Sequence, residues 1–302
     1  MKHLLKVSDL KRDDIFEIIE SACKLKKLKN ENVEHRYLKD KTLGMIFQKP
    51  STRTRLGFEL GMYHFGGKAV YLDNAGTQLG RGESIQDTAR VLSRYVDAIA
   101  IRTYAQATVE KMAIYSSVPV INALTDYAHP CQILTDFMTI SELKGNDFEN
   151  LKICYIGDGN NISNSLIAGC TLMGTRLSIA CHQDYIPSKS IIAFAQENQG
   201  KLLVTNDIRA AATDADIIYT DVWASMGQKE NTDKDEALTN YQLNDEVVSY
   251  CKPTVSVFHC LPAFKGKEIT EEVFESHADE IFTQAENRLH VEKAILLKLM
   301  GE

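Results

Sequence analysis

The sequence predicts an α/β protein built from two doubly wound parallel-sheet domains of similar size. Nine runs rich in branched and aromatic apolar residues recur along its 302 residues, and most are separated by a segment of helix length. This alternation is typical of βαβ units, in which helices cover both faces of a parallel sheet. Nine strands are more than a single domain of this kind ordinarily needs, and the length of the chain suits two domains. The runs cover residues 42–47, 68–72, 97–101, 118–121, 151–156, 176–181, 201–205, 216–220 and 254–258.

A polar break divides the predicted elements into two groups. Residues 144–150 have the sequence Lys-Gly-Asn-Asp-Phe-Glu-Asn, after a long helix predicted to begin near Pro130 and before the apolar run at 151–156. Such a break favours a domain boundary. We place it between residues 145 and 146, so that the domains cover 1–145 and 146–302. We expect the C-terminal helix of the second domain to pack back on the first, and the functional residues to lie in the cleft between them.

Composition argues against several classes of protein. A net charge of −7 and an isoelectric point near 5.7 argue against a general nucleic-acid binder, because such proteins show a basic excess. The N-terminus carries charge too early for a signal peptide, and no apolar run is long enough to span a membrane. The seven cysteines form no CxxC pair, so reduced thiols are expected. We therefore predict a soluble cytoplasmic protein that binds neither nucleic acid nor membrane.

The segment after the first predicted strand has the composition of an oxyanion trap. Residues 47–55 have the sequence Phe-Gln-Lys-Pro-Ser-Thr-Arg-Thr-Arg and open a predicted helix. A helix N-terminus offers unpaired N–H donors and partial positive charge to a phosphate. Arg53 or Arg55 adds a charge-assisted hydrogen bond, which can be bidentate. An ordinary Ser/Thr helix cap beside two solvated arginines explains the same residues equally well.

Polar side chains also follow several other predicted strands. Each alone has an ordinary explanation as a cap, turn or packing residue. The turn at 157–162 contains two glycines, but Ile162 stands where a dinucleotide-binding fingerprint needs its third glycine. Because a doubly wound sheet collects the carboxyl ends of its strands on one edge, we expect the polar groups to converge on one cleft. They are Ser51, Arg102, His129, Asn161, Asp221 and Cys260.

Four motifs, in their usual order, resemble the signatures of a known family. They are Ser-Thr-Arg-Thr-Arg at 51–55, His-Pro-Cys-Gln at 129–132, Asp-Val-Trp-Ala-Ser-Met-Gly at 221–227 and His-Cys-Leu-Pro at 259–262. The chain resembles the aspartate/ornithine carbamoyltransferase family, nearly from end to end. The first two motifs are shared by both branches of that family, whereas the last two mark the ornithine branch. The segments at 78–84 and 284–290 extend the likeness.

The resemblance implies transfer of the carbamoyl group of carbamoyl phosphate to the δ-amine of L-ornithine, giving L-citrulline and phosphate, without a cofactor or a metal. The residues implied to bind carbamoyl phosphate are Ser51, Thr52, Arg53, Thr54, Gln78, Arg102, His129, Gln132, Cys260, Leu261 and Arg288. Those implied to bind ornithine are Asn161, Asp221, Ser225 and Met226. The catalytic groups implied are Arg102, His129, Asp221 and Cys260. We expect the first two to stabilise an oxyanion, and Cys260, coupled to Asp221, to assist proton loss from the amine.

The resemblance further implies a homotrimer, because the family's segment matching residues 78–84 reaches into a neighbouring subunit's site. Residues 228–237 are charged and poorly periodic, and would form a lid that closes when ornithine binds after carbamoyl phosphate. Residues 79–83 look more like the enzymes of arginine biosynthesis. Three alternatives remain: a transferase for another amine such as putrescine or an acylated ornithine, a non-catalytic phosphate-binding protein on this fold, and, weakest, a nicotinamide-dependent dehydrogenase.

Overall fold

The computed structural model describes residues 1–73, 82–223 and 232–301, and the chain divides into two compact units. The first unit consists of Met1–Met138 and Glu286–Glu302, and the second of Thr139–Ala285. Each unit contains one parallel β-sheet whose strands alternate along the chain with helices.

The first unit is organised around a four-stranded sheet. Its strands are β1 Thr42–Phe47, β2 Lys68–Asp73, β3 Ala98–Arg102 and β4 Val120–Leu124. Its helices are α1 Arg12–Asn30, α2 Arg53–His64, α3 Ile85–Leu92, α4 Gln106–Tyr115 and most of α5 Pro130–Lys144, with a short 3-10 helix at Val7–Asp9. The strand order is β2-β1-β3-β4, and all pairs are parallel. Because β1 and β3 have neighbours on both sides, nearly all their side chains are buried, whereas the edge strand β2 is partly exposed.

The second unit is organised around a five-stranded sheet. Its strands are β5 Lys152–Ile156, β6 Arg176–Ala180, β7 Leu202–Thr205, β8 Ile217–Thr220 and β9 Ser256–His259, in the order β7-β6-β5-β8-β9, all parallel. Its helices are α6 Asn161–Met173, α7 Lys189–Glu197, α8 Ile208–Ala212, α9 Thr232–Leu238, α10 Asp245–Ser249 and α11 Glu271–Ser276, with 3-10 helices at Phe148–Asn150 and Thr239–Tyr241. The last helix, α12 Ala278–Met300, begins in this unit, and its residues from 286 onward belong to the first.

The fold class predicted from the sequence is confirmed. All nine apolar runs are strands among the described residues, and their ends differ from the predicted ones by at most three residues. The largest difference is at β4, which ends at Leu124 instead of residue 121 and begins at Val120 instead of residue 118. Pro119 has no N–H to donate to a neighbouring strand, so the regular ladder begins after it.

The division into compact units differs from the predicted boundary. The first break lies between Met138 and Thr139, inside α5, whereas the polar break after that helix suggested 145 and 146. Residues 286–301 belong with the first unit, as expected for a C-terminal helix that packs back on the first domain. Lys298, for example, lies 3.1 Å from Asp14. The predicted boundary between the two functional domains, at residues 145 and 146, stays a prediction.

Charged side chains interrupt the two longest helices, α1 and α12. In the part of the chain that the structure describes, no helix is both long and apolar enough to cross a bilayer.

Candidate active site

In the first unit the predicted motifs lie where the strand order reverses. The chain moves from β1 to β2 on one side and from β3 to β4 on the other, so the switch point lies between β1 and β3. There Phe47 pairs with Arg102, and the N–H of Gln48 donates to the Arg102 carbonyl at 2.9 Å. Ligands of open α/β sheets bind at such a point. The turn after β1 and the end of β3 are therefore adjacent, as the sequence predicted.

Helix α2 begins directly after this turn without a side-chain cap. Thr52 is the N-cap residue, and its side chain makes no cap hydrogen bond. The ordinary cap that the sequence left open is thus wrong for Thr52, and the helix end presents N–H donors suited to an oxyanion. Of the two arginines, Arg55 forms an ion pair with Glu59 at 2.9 Å and lies 3.8 Å from the centre of the Tyr71 ring. Arg53 is the first residue of the helix.

Arg288 on α12 is the centre of a buried hydrogen-bond network. Its Nη1 donates to Gln132 Oε1 at 2.6 Å, and its Nη2 donates to Thr54 Oγ1 at 2.7 Å. Nη2 also donates to Glu292 Oε1 at 2.7 Å. One guanidinium therefore joins the first turn of α2, the first turn of α5 and its own helix. Three residues that the resemblance assigned to one substrate, Thr54, Gln132 and Arg288, are in direct contact.

Arg102 and His129 are also buried in this unit. The register of the β3–β4 ladder shifts between Ile101 and Arg102, and such irregularities re-aim the side chain that follows. Burial, with smaller contributions from Arg288, Arg102 and Arg53, lowers the pKa of His129 well below its ordinary value. The imidazole is therefore neutral at neutral pH, with one nitrogen that donates and one that accepts.

Lys49 is a buried cation that the sequence analysis did not single out. Its Nζ forms an ion pair with Asp126 and lies 4.4 Å from the centre of the Tyr104 ring. Its side chain is only 1% exposed, so it lies within the turn that precedes α2. In the sequence, its burial is indicated only by its position between a buried strand and the start of a helix. That position alone does not show whether a lysine side chain is buried or exposed.

In the second unit the switch point lies between β5 and β8, and Asp221 directly follows β8. Both oxygens of its buried carboxylate accept hydrogen bonds. Asn160 Nδ2 donates to Oδ2 at 2.7 Å, and Cys260 Sγ donates to Oδ1 at 2.9 Å. The predicted pairing of Cys260 with Asp221 is therefore present. Their chemical roles stay predictions.

Asn160 has a second contact, which positions helix α6. Its Oδ1 accepts from the N–H groups of Ile162 and Ser163, at 2.9 and 3.2 Å, so it is the N-cap of that helix. The sequence analysis selected the neighbouring Asn161, which is the first residue of α6 and is buried. One side chain thus links the start of α6 to Asp221, and the sequence alone gave no means of ranking the two asparagines.

The turn that carries Cys260 and Leu261 is fixed by a buried histidine. The Leu261 N–H donates to His259 Nδ1 at 2.9 Å, which makes Nδ1 the acceptor and leaves Nε2 to donate to Glu268 Oε1 at 3.1 Å. His259 and Glu268 are fully or almost fully buried. Leu261 has a left-handed backbone, with φ of 57°, a conformation that branched and bulky residues rarely adopt. The His259–Glu268 pair is the neighbouring structure that holds this turn.

Three predicted ligands, Gln78, Ser225 and Met226, lie outside the described residues. The predicted lid falls partly outside them too, since 228–231 are not described. The rest of it belongs to helix α9, where Lys234 forms an ion pair with Asp158 at 2.6 Å. Burial raises the pKa of Asp158, and Lys234 opposes that rise. Lid closure stays a prediction.

The two units offer different chemistry. The first provides a helix N-terminus, buried guanidiniums and a neutral imidazole, which suit a phosphate and a developing oxyanion. The second provides a buried carboxylate held by an amide and a thiol, which suits an ammonium group. Across the described ranges, no group of three or more His, Cys, Asp or Glu side chains is placed to hold a metal ion.

Comparison with known families identifies this combination. Residues 2–142 match the model of the aspartate/ornithine carbamoyltransferase carbamoyl-P binding domain, and residues 149–299 match that of the Asp/Orn binding domain of the same enzymes. The chain belongs to the aspartate/ornithine carbamoyltransferase family. A curated family member, ornithine carbamoyltransferase of Methanosarcina mazei, is 50% identical over 300 residues, covering 99% of each chain.

Solved structures of family members agree with this assignment. Ornithine carbamoyltransferase from Pyrococcus furiosus superposes with a TM-score of 0.94 at 45% identity, covering 99% of this chain and 97% of the other. Anabolic ornithine carbamoyltransferase from Campylobacter jejuni gives a TM-score of 0.92 at 39% identity, covering 99% of each chain. The family resemblance inferred from the four motifs is thereby confirmed.

Proposed function

We propose that the chain is an ornithine carbamoyltransferase, which transfers the carbamoyl group of carbamoyl phosphate to the δ-amine of L-ornithine in arginine biosynthesis. The observation that carries the choice of acceptor is the Asp221 carboxylate, held by Asn160 and Cys260. A buried negative charge favours ornithine, which carries two amino groups and one carboxylate, over aspartate, which carries one amino group and two carboxylates. The relatives named ornithine carbamoyltransferase, one of them anabolic, support the same acceptor and direction.

Carbamoyl phosphate binds to the groups of the first unit. Its phosphate is held by the N–H donors at the start of α2 and by the side chains of Ser51, Thr52, Arg53 and Thr54. The carbamoyl end lies against Arg102, His129 and Gln132, with Arg288 bonded to Gln132 and Thr54. The family resemblance adds Gln78, Cys260 and Leu261 to this set.

The reaction is an attack of the neutral δ-amine on the carbamoyl carbon, with phosphate as the leaving group and as the acceptor of the proton that the attacking nitrogen then loses. Negative charge grows on the carbonyl oxygen, where Arg102 and the neutral His129 donate. A single well-placed donor of this kind contributes about 3 to 4 kcal/mol to transition-state stabilisation. Holding both substrates in attack geometry contributes roughly 7 to 11 kcal/mol at most. The donors at the start of α2 stabilise the departing phosphate.

Ornithine has to lose a proton before it attacks, because an amine of this type titrates near about 10.4 in water. Asp221 binds the amino-acid substrate together with Asn161, Ser225 and Met226. The Cys260 thiol, hydrogen-bonded to Asp221, assists the proton loss by passing its own proton to the Asp221 carboxylate as it takes one from the δ-ammonium group. Carbamoyl phosphate binds first, and the lid then closes over ornithine and excludes water. The enzyme works in the cytoplasm as a homotrimer.

The test is citrulline formation from carbamoyl phosphate by the purified protein, with L-ornithine, putrescine, L-aspartate and N-acetylornithine supplied in parallel. Citrulline from ornithine, without product from the other amines, is the expected result. Product from another amine would refute the ornithine assignment but keep the carbamoyl phosphate site. No product from any amine, with measurable carbamoyl phosphate binding, would refute catalysis. Size-exclusion chromatography with light scattering tests the trimer.

A further inference from the structure

Glu292, which no motif includes, lies one helical turn after Arg288 on α12. Its Oε1 accepts a hydrogen bond from Arg288 Nη2 at 2.7 Å. Arg288 is 4% exposed and Glu292 is 0% exposed, so water hardly reaches the ion pair. Because water screens this ion pair so little, the charge of one partner strongly affects the net charge that the other presents to a ligand.

The same guanidinium contacts two side chains assigned to carbamoyl phosphate. Nη2 donates to both Thr54 and Glu292, and therefore uses both of its N–H groups. Nη1 donates to Gln132. Because the fork is planar, the bond to Glu292 also restricts where the other nitrogens point. Loss of that bond leaves one N–H of a buried cation without its acceptor and releases the fork from this orientation.

The space for the Glu292 carboxylate exists because residue 57 on α2 is glycine. A Cβ atom at Gly57 would lie 1.8 Å from Glu292 Oε2 and 2.9 Å from its Cδ. No ordinary side chain fits there without moving the carboxylate. Glu292 is therefore pressed against the backbone of the helix whose first turn forms the oxyanion trap.

The second carboxylate oxygen is poorly solvated. Glu292 Oε2 is buried and has no hydrogen-bond partner among the described residues. A buried ionised oxygen without a donor is costly, so the site favours a proton on Glu292. Burial raises the pKa of Glu292 to about 7, although Arg288 and Arg102 oppose that rise. The charged and titratable groups that face it are Arg288 on α12, Arg102 at the end of β3 and the Cys131 thiol on α5.

We propose that Glu292 is a positioning residue, which orients Arg288 and, by gaining or losing a proton, sets the net charge that the network presents to carbamoyl phosphate. This rests on the proposed function, since it assigns carbamoyl phosphate to the Arg288 network. When Glu292 is neutral, Arg288 offers its full positive charge to the ligand. When Glu292 is ionised, it offsets that charge and weakens the binding of an anion.

The test is the dissociation constant of carbamoyl phosphate, measured by isothermal titration calorimetry across about pH 6 to 9, which brackets the Glu292 titration. We expect the wild-type constant to rise by about tenfold over this range, the size of one pKa unit of coupling. Glu292→Gln keeps the acceptor oxygen and removes the charge, so its constant should stay low at high pH. Glu292→Asp keeps the charge but shortens the reach, so it should bind more weakly at every pH. The ligand's own ionisation is common to all proteins and cancels in the comparison.

Glu286→Gln is the matched control, because it removes the same charge from a half-exposed position on the same helix. It should follow the wild-type profile. Parallel profiles for wild type and Glu292→Gln would overturn the inference, as would a wild type that does not bind carbamoyl phosphate. A variant that is only less stable has a lower Tm, but its dissociation constant for carbamoyl phosphate changes with pH as that of the wild type does. Citrulline formation is measured separately, so failure of the acceptor reaction alone would refute the proposed function and leave the Glu292 result standing.

Discussion

Two substitutions of Asn160 should separate the contributions of its two contacts, the hydrogen bond to Asp221 and the cap of α6. Asn160→Ser keeps a good N-cap oxygen for α6 but removes the amide that donates to Asp221 at 2.7 Å. Asn160→Ala removes both. We expect the serine variant to weaken ornithine binding while carbamoyl phosphate binding stays unchanged, because only the Asp221 carboxylate loses a donor.

The size of the effect follows from the two bonds. A hydrogen bond to a charged group contributes about 1.5 to 3 kcal/mol, so the serine variant should lose about that much of the free energy of unfolding. The alanine variant also loses the cap, and should lose about 2.5 to 4 kcal/mol in all. If the same energy is lost from ornithine binding, the KM for ornithine rises by at least about tenfold. Urea unfolding at fixed protein concentration and steady-state kinetics measure the two quantities.

Asn244 provides the matched control in the same unit. It is the N-cap of α10, where its side chain accepts from the Val247 N–H at 3.1 Å. Asn244→Ser should change neither stability nor kinetics, and Asn244→Ala should cost about 1 kcal/mol of stability with unchanged KM. An Asn160→Ser variant that matches Asn244→Ser in both measurements would refute the contact with Asp221 as an energetic link. Equal losses of affinity for both substrates would refute its specificity for ornithine.

Three further predictions concern single side chains. Cys260→Ala removes the thiol that donates to Asp221 at 2.9 Å, so turnover should fall and ornithine affinity change, with a smaller change in carbamoyl phosphate binding, which depends mainly on the groups of the first unit. An unchanged turnover and pH profile would exclude a role of Cys260 in proton transfer. Gly57→Ala should displace Glu292, lower stability by about 1 to 3 kcal/mol and raise the KM for carbamoyl phosphate, and unchanged values would contradict the close packing. Burial lowers the pKa of His290 from its ordinary value of 6.5 to about 3. The unfolded chain therefore binds this proton first, so stability falls as the pH drops from about 6.5 to 3. His290→Gln should reduce that fall in urea unfolding, and an identical pH dependence would contradict the shift.

The strands were predictable because each is a short, continuous apolar run, and a buried parallel strand requires that pattern on both faces. Residues directly after strands were predictable for a related reason. Parallel strands bring their carboxyl ends to one edge, so Arg102 and Asp221 could be selected by position alone. The four motifs then supplied the chemical class.

Residues whose role depends on a distant partner could not be predicted in this way. Asn160 and Asp221 are 61 positions apart, and the Arg288 and Gln132 bond spans 156. Glu292 has no motif around it, and it is noticeable only when Gly57 is known to lie against it. Periodicity shows which face of a helix is buried, but it does not show which residue of another element meets that face.

The two units hold their key charges in different ways, and the difference has a consequence for pH dependence. Asp221 is held by an amide and a thiol that donate to it without carrying an opposing charge. Its full negative charge therefore remains available to an ammonium group. Arg288 is held by a carboxylate whose own proton is in balance near neutrality, since burial raises the pKa of Glu292 to about 7. The protein's contribution to binding the anionic donor should therefore vary with pH near neutrality.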